Sequence, residues 1–385
     1  MIKRNFTLLK WYNFFEDFRF YAGFIILYFA QVAGSYTLGM TVFGLGFLFQ
    51  SLFEVPAGVV SDKFLHRKYS LAAAAIVDFC AVACYALACD ARLLVAGAAC
   101  EGLSRALTSG TDTAFLYETL KSGGKTDEFE TYQGKAASMF QTALFLGALL
   151  GALAVLKSYR FAYLLTLAPK FCQIVVSLFF VEPPCAEKSE NVFAHLKEAF
   201  AAFKKEKSLR LFALATIVDD GVGEACYQFK AAFVRQIIPD WAVSLLSSAN
   251  NLLAGISFWF AGKIIRKTGY LKLFFGGEVL NLLIGASAVL LKNIASPFLF
   301  VSTSVLYGPM STAGVNLCQR RFTDAQRATM QSLISLAGSL FLCLAFVLVG
   351  ALADATSPTV ALFAGVLAPK FVTLPVYFAL FRKRV

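Results

Sequence analysis

Residues 101 to 112 place charged and polar side chains at helical spacing inside an otherwise apolar run. Glu101, Arg105, Ser109 and Asp112 are four, four and three residues apart, so one helix would carry all of them on one face. The Arg105 guanidinium could hold a carboxylate or phosphate through two parallel hydrogen bonds. It could also favour the ionised form of Glu101, or simply brace the protein by pairing with it. The spacing therefore indicates an anion-binding group or a structural ion pair.

A second polar stretch, residues 219–228, reads DDGVGEACYQ. Asp220, Glu224 and Gln228 follow one another at one-turn spacing, and two glycines weaken the helix between them. The three carboxylates of this stretch, those of Asp219, Asp220 and Glu224, cannot all stay ionised cheaply in a low dielectric, so at least one is expected to carry a proton. Such a cluster suits proton coupling, and it also suits recognition of a cationic group. The two uses are compatible where proton and cation compete.

Other polar groups extend this pattern. Glu16, Asp17 and Arg19 form a partly neutralised cluster near the start of the chain. A later segment contributes only neutral groups, and its Gly308-Pro309 pair predicts a bend; the groups are Ser304, Tyr307, Ser311 and Asn316. Three amides are weaker candidates, better suited to hydrogen bonds between helices: Asn250, Asn251 and Gln331.

The pentapeptide LAPKF occurs at 167–171 and again at 367–371, each time in the middle of an apolar run. A charge at mid-bilayer costs roughly 2.5–3.5 kcal/mol on insertion scales, so each lysine needs a partner. Asp78 and Glu278 are separated by the same 200 residues as Lys170 and Lys370. We predict the ion pairs Asp78–Lys170 and Glu278–Lys370, with the prolines loosening their helices so that the lysines can reach. A structural role is our main interpretation, and a direct part in function is the alternative.

The composition indicates that these residues lie in a membrane. The chain of 385 residues is 58% hydrophobic, has 40 Phe and is only 15% charged, whereas soluble domains are about 25% charged. About 20 helical residues cross a bilayer core, and the apolar runs lack the alternation of barrel strands. We predict an all-α membrane protein with twelve transmembrane helices, at 12–33, 36–57, 69–89, 92–118, 131–155, 159–181, 209–236, 241–262, 270–291, 295–317, 328–350 and 358–381.

The positions of the basic residues account for the net charge of +11. Most of the 35 Lys and Arg residues lie in the N-terminus, the C-terminus and the loops after spans 2, 4, 6, 8 and 10. By the positive-inside rule, both termini are predicted to be cytoplasmic. We expect the protein in the plasma (cytoplasmic) membrane, specifically a bacterial inner membrane. No nucleic-acid partner is expected, because the basic and aromatic residues do not form the pattern typical of nucleic-acid binding.

The sequence favours no enzyme class and no cofactor. Nine cysteines and two histidines form no metal-spaced set. No nucleophile is accompanied by a histidine base, so an enzyme is not expected. The segment SGGKT at 122–126 lacks the first glycine of a phosphate-binding loop, so ATP is not expected to supply energy within this chain.

The longest polar interruption, residues 182–210, divides the spans six and six. We predict an N-terminal bundle at 1–181, a cytoplasmic linker at 182–208 and a C-terminal bundle at 209–385. Apolar residues at helical spacing over 193–203 predict an amphipathic helix on the membrane surface, with a plain tether as the alternative. Glu16-Asp17 is matched by Asp219-Asp220 at an offset of 203, and the two LAPKF copies are likewise matched, so the bundles are interpreted as pseudo-symmetric repeats.

The segment FEVPAGVVSDKFLHRKYSL, at the end of span 2, resembles the cytoplasmic loop between the second and third helices of the major facilitator superfamily. The family pattern runs Gly, three residues, Asp, a basic residue, any residue, Gly, then basic residues. The matching residues are Gly58, Asp62, Lys63, Arg67 and Lys68, while Leu65 stands where the family usually has its second glycine. AGKIIRKTG, between spans 8 and 9, is similar to a degenerate second copy.

The resemblance covers the whole chain and implies the fold and working cycle of that family, in which spans 1, 4, 7 and 10 line a central cavity. The concentration of intramembrane charge in spans 1, 4 and 7 agrees with this. The resemblance also implies that Asp62, with Arg67 and Lys68, latches the outward-facing state on the cytoplasmic side. A solvated loop that only sets topology is the alternative. Arg105 is similar in position to an arginine of the family's fourth helix, although Gly110 follows one residue later than usual.

We therefore expect a monomeric secondary active transporter that moves a small polar or zwitterionic solute by alternating access, coupled to protons through Asp220, Glu224 and Glu101. Its partners would be the solute, protons and the lipid bilayer, with Arg105 holding an anionic group. The alternative is proton-driven efflux of amphipathic cations, which the 40 Phe favour. Ala152 stands where the antiporter branch has the proline of its Gly-Pro signature, which argues against that alternative. A non-transporting sensor on the same fold is a third possibility.

Overall fold

A computed structural model of the chain describes residues 1–63, 66–183, 207–321 and 324–381. These residues are almost entirely helical. In the first part of the chain the elements are α1 Ile2–Asp17, α2 Ile25–Ala33, α3 Tyr36–Lys63, α4 Arg67–Leu87, α5 Ala91–Thr108, α6 Thr111–Lys121, a 3-10 turn Thr126–Glu128, α7 Phe129–Ala154 and α8 Tyr159–Leu178. The second part contains α9 Lys207–Val234, α10 Asp240–Thr268, α11 Tyr270–Leu291, α12 Ala295–Ser302, α13 Ser304–Arg321, α14 Asp324–Ala355 and α15 Pro358–Phe381.

Within the described residues, eight helices are long and apolar enough to cross a membrane. The predicted spans 1, 4, 7 and 10 are not among them. Three of these four are interrupted: α1 and α2 are separated by residues 18–24, α5 and α6 by residues 109–110, and α12 and α13 by Thr303. Span 7 corresponds to the continuous helix α9, which carries the acidic cluster. Twelve spans and cytoplasmic termini therefore stay predictions.

The chain forms two compact units. The N-unit consists of Met1–Gly34, Leu45–Glu190 and Asp240–Ser248. The C-unit consists of Ser35–Gly44, Asn191–Pro239 and Ala249–Val385. The predicted linker at 182–208 and its amphipathic stretch at 193–203 lie almost wholly outside the described residues, so the predicted domain boundaries stay predictions.

Apolar packing in the N-unit fixes the first helix. Leu9 and Tyr12 of α1 are buried against Leu71 of α4, Phe115 of α6 and Phe180 just beyond α8. The Tyr12 hydroxyl donates a hydrogen bond of 2.9 Å to the Leu71 carbonyl, so a buried polar group is satisfied within this cluster. These contacts set the position of the charged end of α1, where Glu16 and Asp17 lie.

The start of α10 is also part of the N-unit. Ser244 Oγ donates to the Ala148 carbonyl at 2.7 Å, and Ser248 Oγ donates to the Phe145 carbonyl at 2.9 Å. Hydroxyl groups that bond a neighbouring helix backbone allow close approach of helices in a membrane. The N-terminal part of α10, up to Ser248, is thereby held along α7.

Candidate functional site

The first predicted span breaks in its middle, and α7 shelters the break. Non-helical backbone at membrane depth is tolerated only where protein or a water-filled cavity surrounds it. A Cβ atom on Gly147 would lie 2.8 Å from the Arg19 carbonyl oxygen, and one on Gly151 would lie 2.1 Å from the Phe20 carbonyl oxygen. The Phe20 N–H donates to Thr166 Oγ1 at 3.2 Å. The two glycines therefore allow the broken segment to pack directly on α7.

Arg19 lies in this break and gathers three acceptors. Its Nε donates to the Glu16 carbonyl at 3.1 Å. Its guanidinium also lies 3.4 Å from Asp17 Oδ1 and 3.3 Å from Glu101 Oε1. Because α1 ends at Asp17, the positive charge faces the helix end where unpaired carbonyls concentrate negative charge. The predicted cluster of residues 16, 17 and 19 is thus joined to Glu101 of α5.

Glu101 is a buried acceptor for three donors. Arg105 Nη2 lies 2.6 Å from Glu101 Oε1, and Arg19 Nη1 donates a hydrogen bond to the same oxygen. The Tyr85 hydroxyl donates to Glu101 Oε2 at 2.7 Å. The Arg105 guanidinium carbon in turn lies 4.9 Å from the centre of the Phe47 ring. Both carboxylate oxygens are occupied, so the brace between Arg105 and Glu101 is the arrangement present. Tyr85 was not among the predicted residues, since only the tertiary fold brings it to Glu101.

The prediction of one helical face over residues 101–112 is wrong. Gly110 has φ of 74°, a left-handed conformation that ends α5, and α6 begins at the next residue. Ser109 lies in the break, where its hydroxyl is 3.4 Å from Glu54 Oε1. Asp112 belongs to the first turn of α6. Glycine adopts positive φ without the steric cost that other residues have, and this local effect overrides the helical spacing.

The two LAPKF lysines both lie against acidic side chains. Lys170 is fully buried, and its Nζ donates to Asp78 Oδ2 and to the Glu16 carbonyl. In the C-unit, Lys370 Nζ lies 2.5 Å from Glu278 Oε2 and 2.5 Å from Asp219 Oδ1.

The predicted couples therefore come together in both units, and Asp219 is an additional partner. The sequence match between Glu16-Asp17 and Asp219-Asp220 could have indicated this additional partner. In the N-unit a backbone carbonyl of residue 16 occupies the role that the Asp219 carboxylate has in the C-unit.

A cavity of about 320 Å³ lies in the N-unit beside this cluster. Seven of its eleven lining residues are polar or charged. The lining residues are Leu9, Asn13, Glu16, Asp17, Thr108, Asp112, Thr113, Leu116, Gln133, Ala136 and Phe140. Asp112 is 3.3 Å from the Thr113 hydroxyl. The Glu16 carboxylate, by contrast, makes no hydrogen bond or ion pair with any residue that the structure describes.

In the C-unit the acidic residues lie on the continuous helix α9 and make different contacts. Gln228 Nε2 donates to Glu224 Oε1 at 2.8 Å. Asp220 is exposed, and Asp219 is engaged by Lys370. Tyr307 is 57% exposed and packs edge-on against Phe258.

Of the neutral polar residues named from the sequence, some make contacts between helices and others do not. Asn250 makes the expected contacts between helices: its Nδ2 donates to the Tyr227 hydroxyl at 3.2 Å, and its Oδ1 accepts from Ser304 Oγ at 2.5 Å. Asn251 is partly buried, and Ser311 is exposed. The side chains of Asn316 and Gln331 lie outside the described part of the chain.

The predicted cytoplasmic gate is described only in part. Gly58 lies exposed in α3, and the Asp62 side chain lies outside the described residues. The N–H groups of Arg67 and Lys68 donate to the two oxygens of Glu182 at 2.8 and 2.9 Å. Arg67 Nε lies 3.5 Å from Glu118 Oε1. Glu182 therefore caps the first turn of α4, a role that sequence reasoning missed because the glutamate is more than a hundred residues away.

Comparison with known proteins gives one family and several solved structures. A family model described as Major Facilitator Superfamily matches residues 13–346. The nucleoside transporter NupG aligns with a TM-score of 0.81 at 14% identity, over 98% of this chain and 99% of that chain. A bacterial homolog to the human lysosomal transporter Spinster aligns with a TM-score of 0.78 at 15% identity, over 98% of this chain and 97% of that chain.

A third solved structure is that of an auto-inhibited POT family peptide transporter, with a TM-score of 0.74 at 13% identity, over 99% of this chain and 97% of that chain. At such identities these likenesses concern the fold alone. No curated protein matches this chain in sequence.

Proposed function

This chain belongs to the major facilitator superfamily, and from that premise we propose that it is a proton-coupled secondary active transporter that moves a small polar or zwitterionic solute by alternating access. The observation that carries the proposal is the N-unit cavity. It brings Glu16, Asp17 and Asp112 together beside two arginines and a buried lysine. Intramembrane charges that line a cavity typically mark a path for substrates or ions.

The lining of the cavity supports a polar solute. Seven of the eleven lining residues carry carboxylates, amides or hydroxyls, and the apolar surface comes from Leu9, Leu116, Ala136 and Phe140. Such a wall can hold an ammonium group or a hydrogen-bonding ring, and a volume of about 320 Å³, at the small end of ligand pockets, leaves little room for a large amphipathic cation. The polar solute is therefore preferred to efflux of amphipathic cations.

Glu16 is the proton carrier in this proposal. Its carboxylate lines the cavity without a described partner, while its backbone carbonyl accepts from Arg19 and Lys170. A proton taken up at Glu16 would remove a negative charge from the point where two cations meet the end of α1. Glu101 is poorly suited to this role because three donors already occupy its oxygens. Asp220 and Glu224 remain the corresponding carriers proposed for the C-unit.

The rest of the working cycle is proposed from the family resemblance. Gly58, Asp62, Arg67 and Lys68 would form the cytoplasmic gate, and the transporter would act as a monomer in the cytoplasmic membrane. Arg67 and Lys68 begin a helix that Glu182 caps. A helix start fixed in this way would hold the basic residues in register for a gate.

Reconstituted liposomes test this function. The purified chain is placed in vesicles containing a pH-sensitive dye, and nucleosides, dipeptides and amino acids are added in turn. We expect at least one solute to cause proton movement, and we expect Glu16→Gln to abolish the movement while the solute still raises the melting temperature. Glu128→Gln, which changes an exposed glutamate paired with Lys125, is the matched control. Full proton movement in Glu16→Gln, or response to lipophilic cations alone, would contradict the proposal.

A further inference from the structure

Helix α9 carries an intramembrane lysine that the proposed proton path does not use. Lys230 lies about one turn before the end of the helix at Val234. Its Nζ is 4.7 Å from the centre of the Tyr227 ring and 5.4 Å from the centre of the Phe300 ring. Unlike Lys170 and Lys370, it has no carboxylate at ion-pair distance among the residues that the structure describes.

The two rings only partly satisfy this ammonium group. An aromatic face attracts a cation through its quadrupole, but an ammonium has three N–H donors that need acceptor atoms. Within the described part of the chain, Lys230 makes no hydrogen bond. Charged side chains in transmembrane segments are nearly always paired or placed on a substrate path. Among the described residues, Lys230 therefore has no anionic partner at ion-pair distance, only the more distant Glu224, and a ligand could supply one.

A second hydrogen-bond donor is the hydroxyl group of Tyr227, whose ring lies against Lys230. The Tyr227 hydroxyl accepts a hydrogen bond from Asn250 Nδ2, and Asn250 in turn accepts from Ser304. Its acceptor role leaves the Tyr227 hydroxyl proton available to donate, and 39% of this residue is exposed. Tyr227, Asn250 and Ser304 belong to α9, α10 and α13, so side chains from three helices fix this donor in place.

We propose that Lys230 and Tyr227 bind a carboxylate group of the transported solute within the C-unit. The inference rests on the proposed function and names the anionic group of its substrate. One ammonium balances one carboxylate charge, and two donors match its two oxygens, whereas a phosphate would bring more negative charge than this site neutralises. Arg105, the anion-binding residue expected from the sequence, is already held by Glu101 at 2.6 Å.

Matched ligand pairs test this assignment on the purified full-length chain. Each pair consists of a dipeptide or amino acid and its C-terminal amide, which lacks only the carboxylate charge. We expect the carboxylate member to bind at least about tenfold more tightly by titration, as the loss of one charge-assisted hydrogen bond implies. Lys230→Met should remove this preference, and Lys230→Arg should keep part of it. Lys157→Met is the control, because Lys157 also lies over an aromatic ring but is exposed.

Tyr227→Phe is an independent test of carboxylate binding, because it removes the hydroxyl and leaves a ring beneath Lys230. It should reduce the preference for the carboxylate member severalfold even where Lys230→Met does not fold. Full preference in both variants would overturn the inference and leave the proposed function intact. A preference for nucleoside monophosphates over carboxylates would also overturn it. If no pair binds and no solute moves protons in liposomes, the proposed function fails, and this inference fails with it.

Discussion

The carboxylate of Asp354 accepts a hydrogen bond of 2.8 Å from the backbone N–H of Thr37. The same carboxylate accepts from the Tyr36 N–H at 3.0 Å and from the Thr37 hydroxyl at 2.6 Å. Tyr36 begins α3, and Asp354 is the last residue but one of α14. One side chain at the end of α14 therefore satisfies two of the backbone donors in the first turn of α3.

Replacing Asp354 by alanine should lower the free energy of unfolding by about 1 kcal/mol, the usual cost of losing a helix cap. Asp354→Asn should retain only part of the stability, because its single amide oxygen can replace one of the two accepting oxygens while its NH2 group replaces the other. Thermal unfolding of the purified protein provides the measurement, with Asp127→Ala as an exposed control. An Asp354→Ala protein as stable as the parent would show that the cap contributes nothing.

The buried pair of Lys170 and Asp78 should behave non-additively. Lys170→Met leaves Asp78 buried without its cation and is expected to cost about 3–5 kcal/mol. Changing Asp78 to Asn in the same protein should restore much of that loss, because neither charge then remains. A double-mutant cycle in unfolding experiments measures the coupling, and strictly additive losses would contradict an ion pair.

The two lysine sites should differ in their tolerance to the loss of one acid. Asp78→Asn removes the carboxylate that pairs with Lys170 in the N-unit, whereas Asp219→Asn leaves Lys370 paired with Glu278. We expect Asp219→Asn to cost less than half as much stability as Asp78→Asn, because a one-to-one pair survives. Parallel unfolding measurements of the two variants decide this, and equal losses would count against the assigned partners.

A larger side chain at position 151 should disrupt the broken first span. A Cβ there would lie 2.1 Å from the Phe20 carbonyl oxygen, so Gly151→Ala must displace backbone. We expect a loss of about 1–3 kcal/mol, typical of overpacking. Gly134→Ala in the same helix is the control, because nothing lies within 4 Å of its added methyl group. That change should be neutral or slightly stabilising. Equal stability of both variants would refute the close contact.

The contacts that could be predicted from the sequence are those that follow from a strong local rule. A lysine in an apolar span requires an acid, and a glutamate one helical turn before an arginine can reach it, so Lys170 and Arg105 could be given partners. The breaks at residues 18–24 and 109–110 could not be predicted in this way. Hydropathy does not distinguish a helix from a non-helical segment that other helices shield. The first break packs against Gly147 and Gly151, which lie more than a hundred residues later in the chain. The cap from Glu182 likewise depends on tertiary structure.

The break in the first span has a consequence for how the protein enters the membrane during synthesis. α2 has nine residues and covers about 14 Å of a hydrocarbon layer of about 30 Å, while α1 carries charged residues at both ends. Neither piece is both long and apolar enough to cross a membrane by itself, whereas α3 is. Within the described helices, we therefore expect α3 to be the first segment that enters the membrane unaided, and the predicted first span to depend on later segments for its insertion.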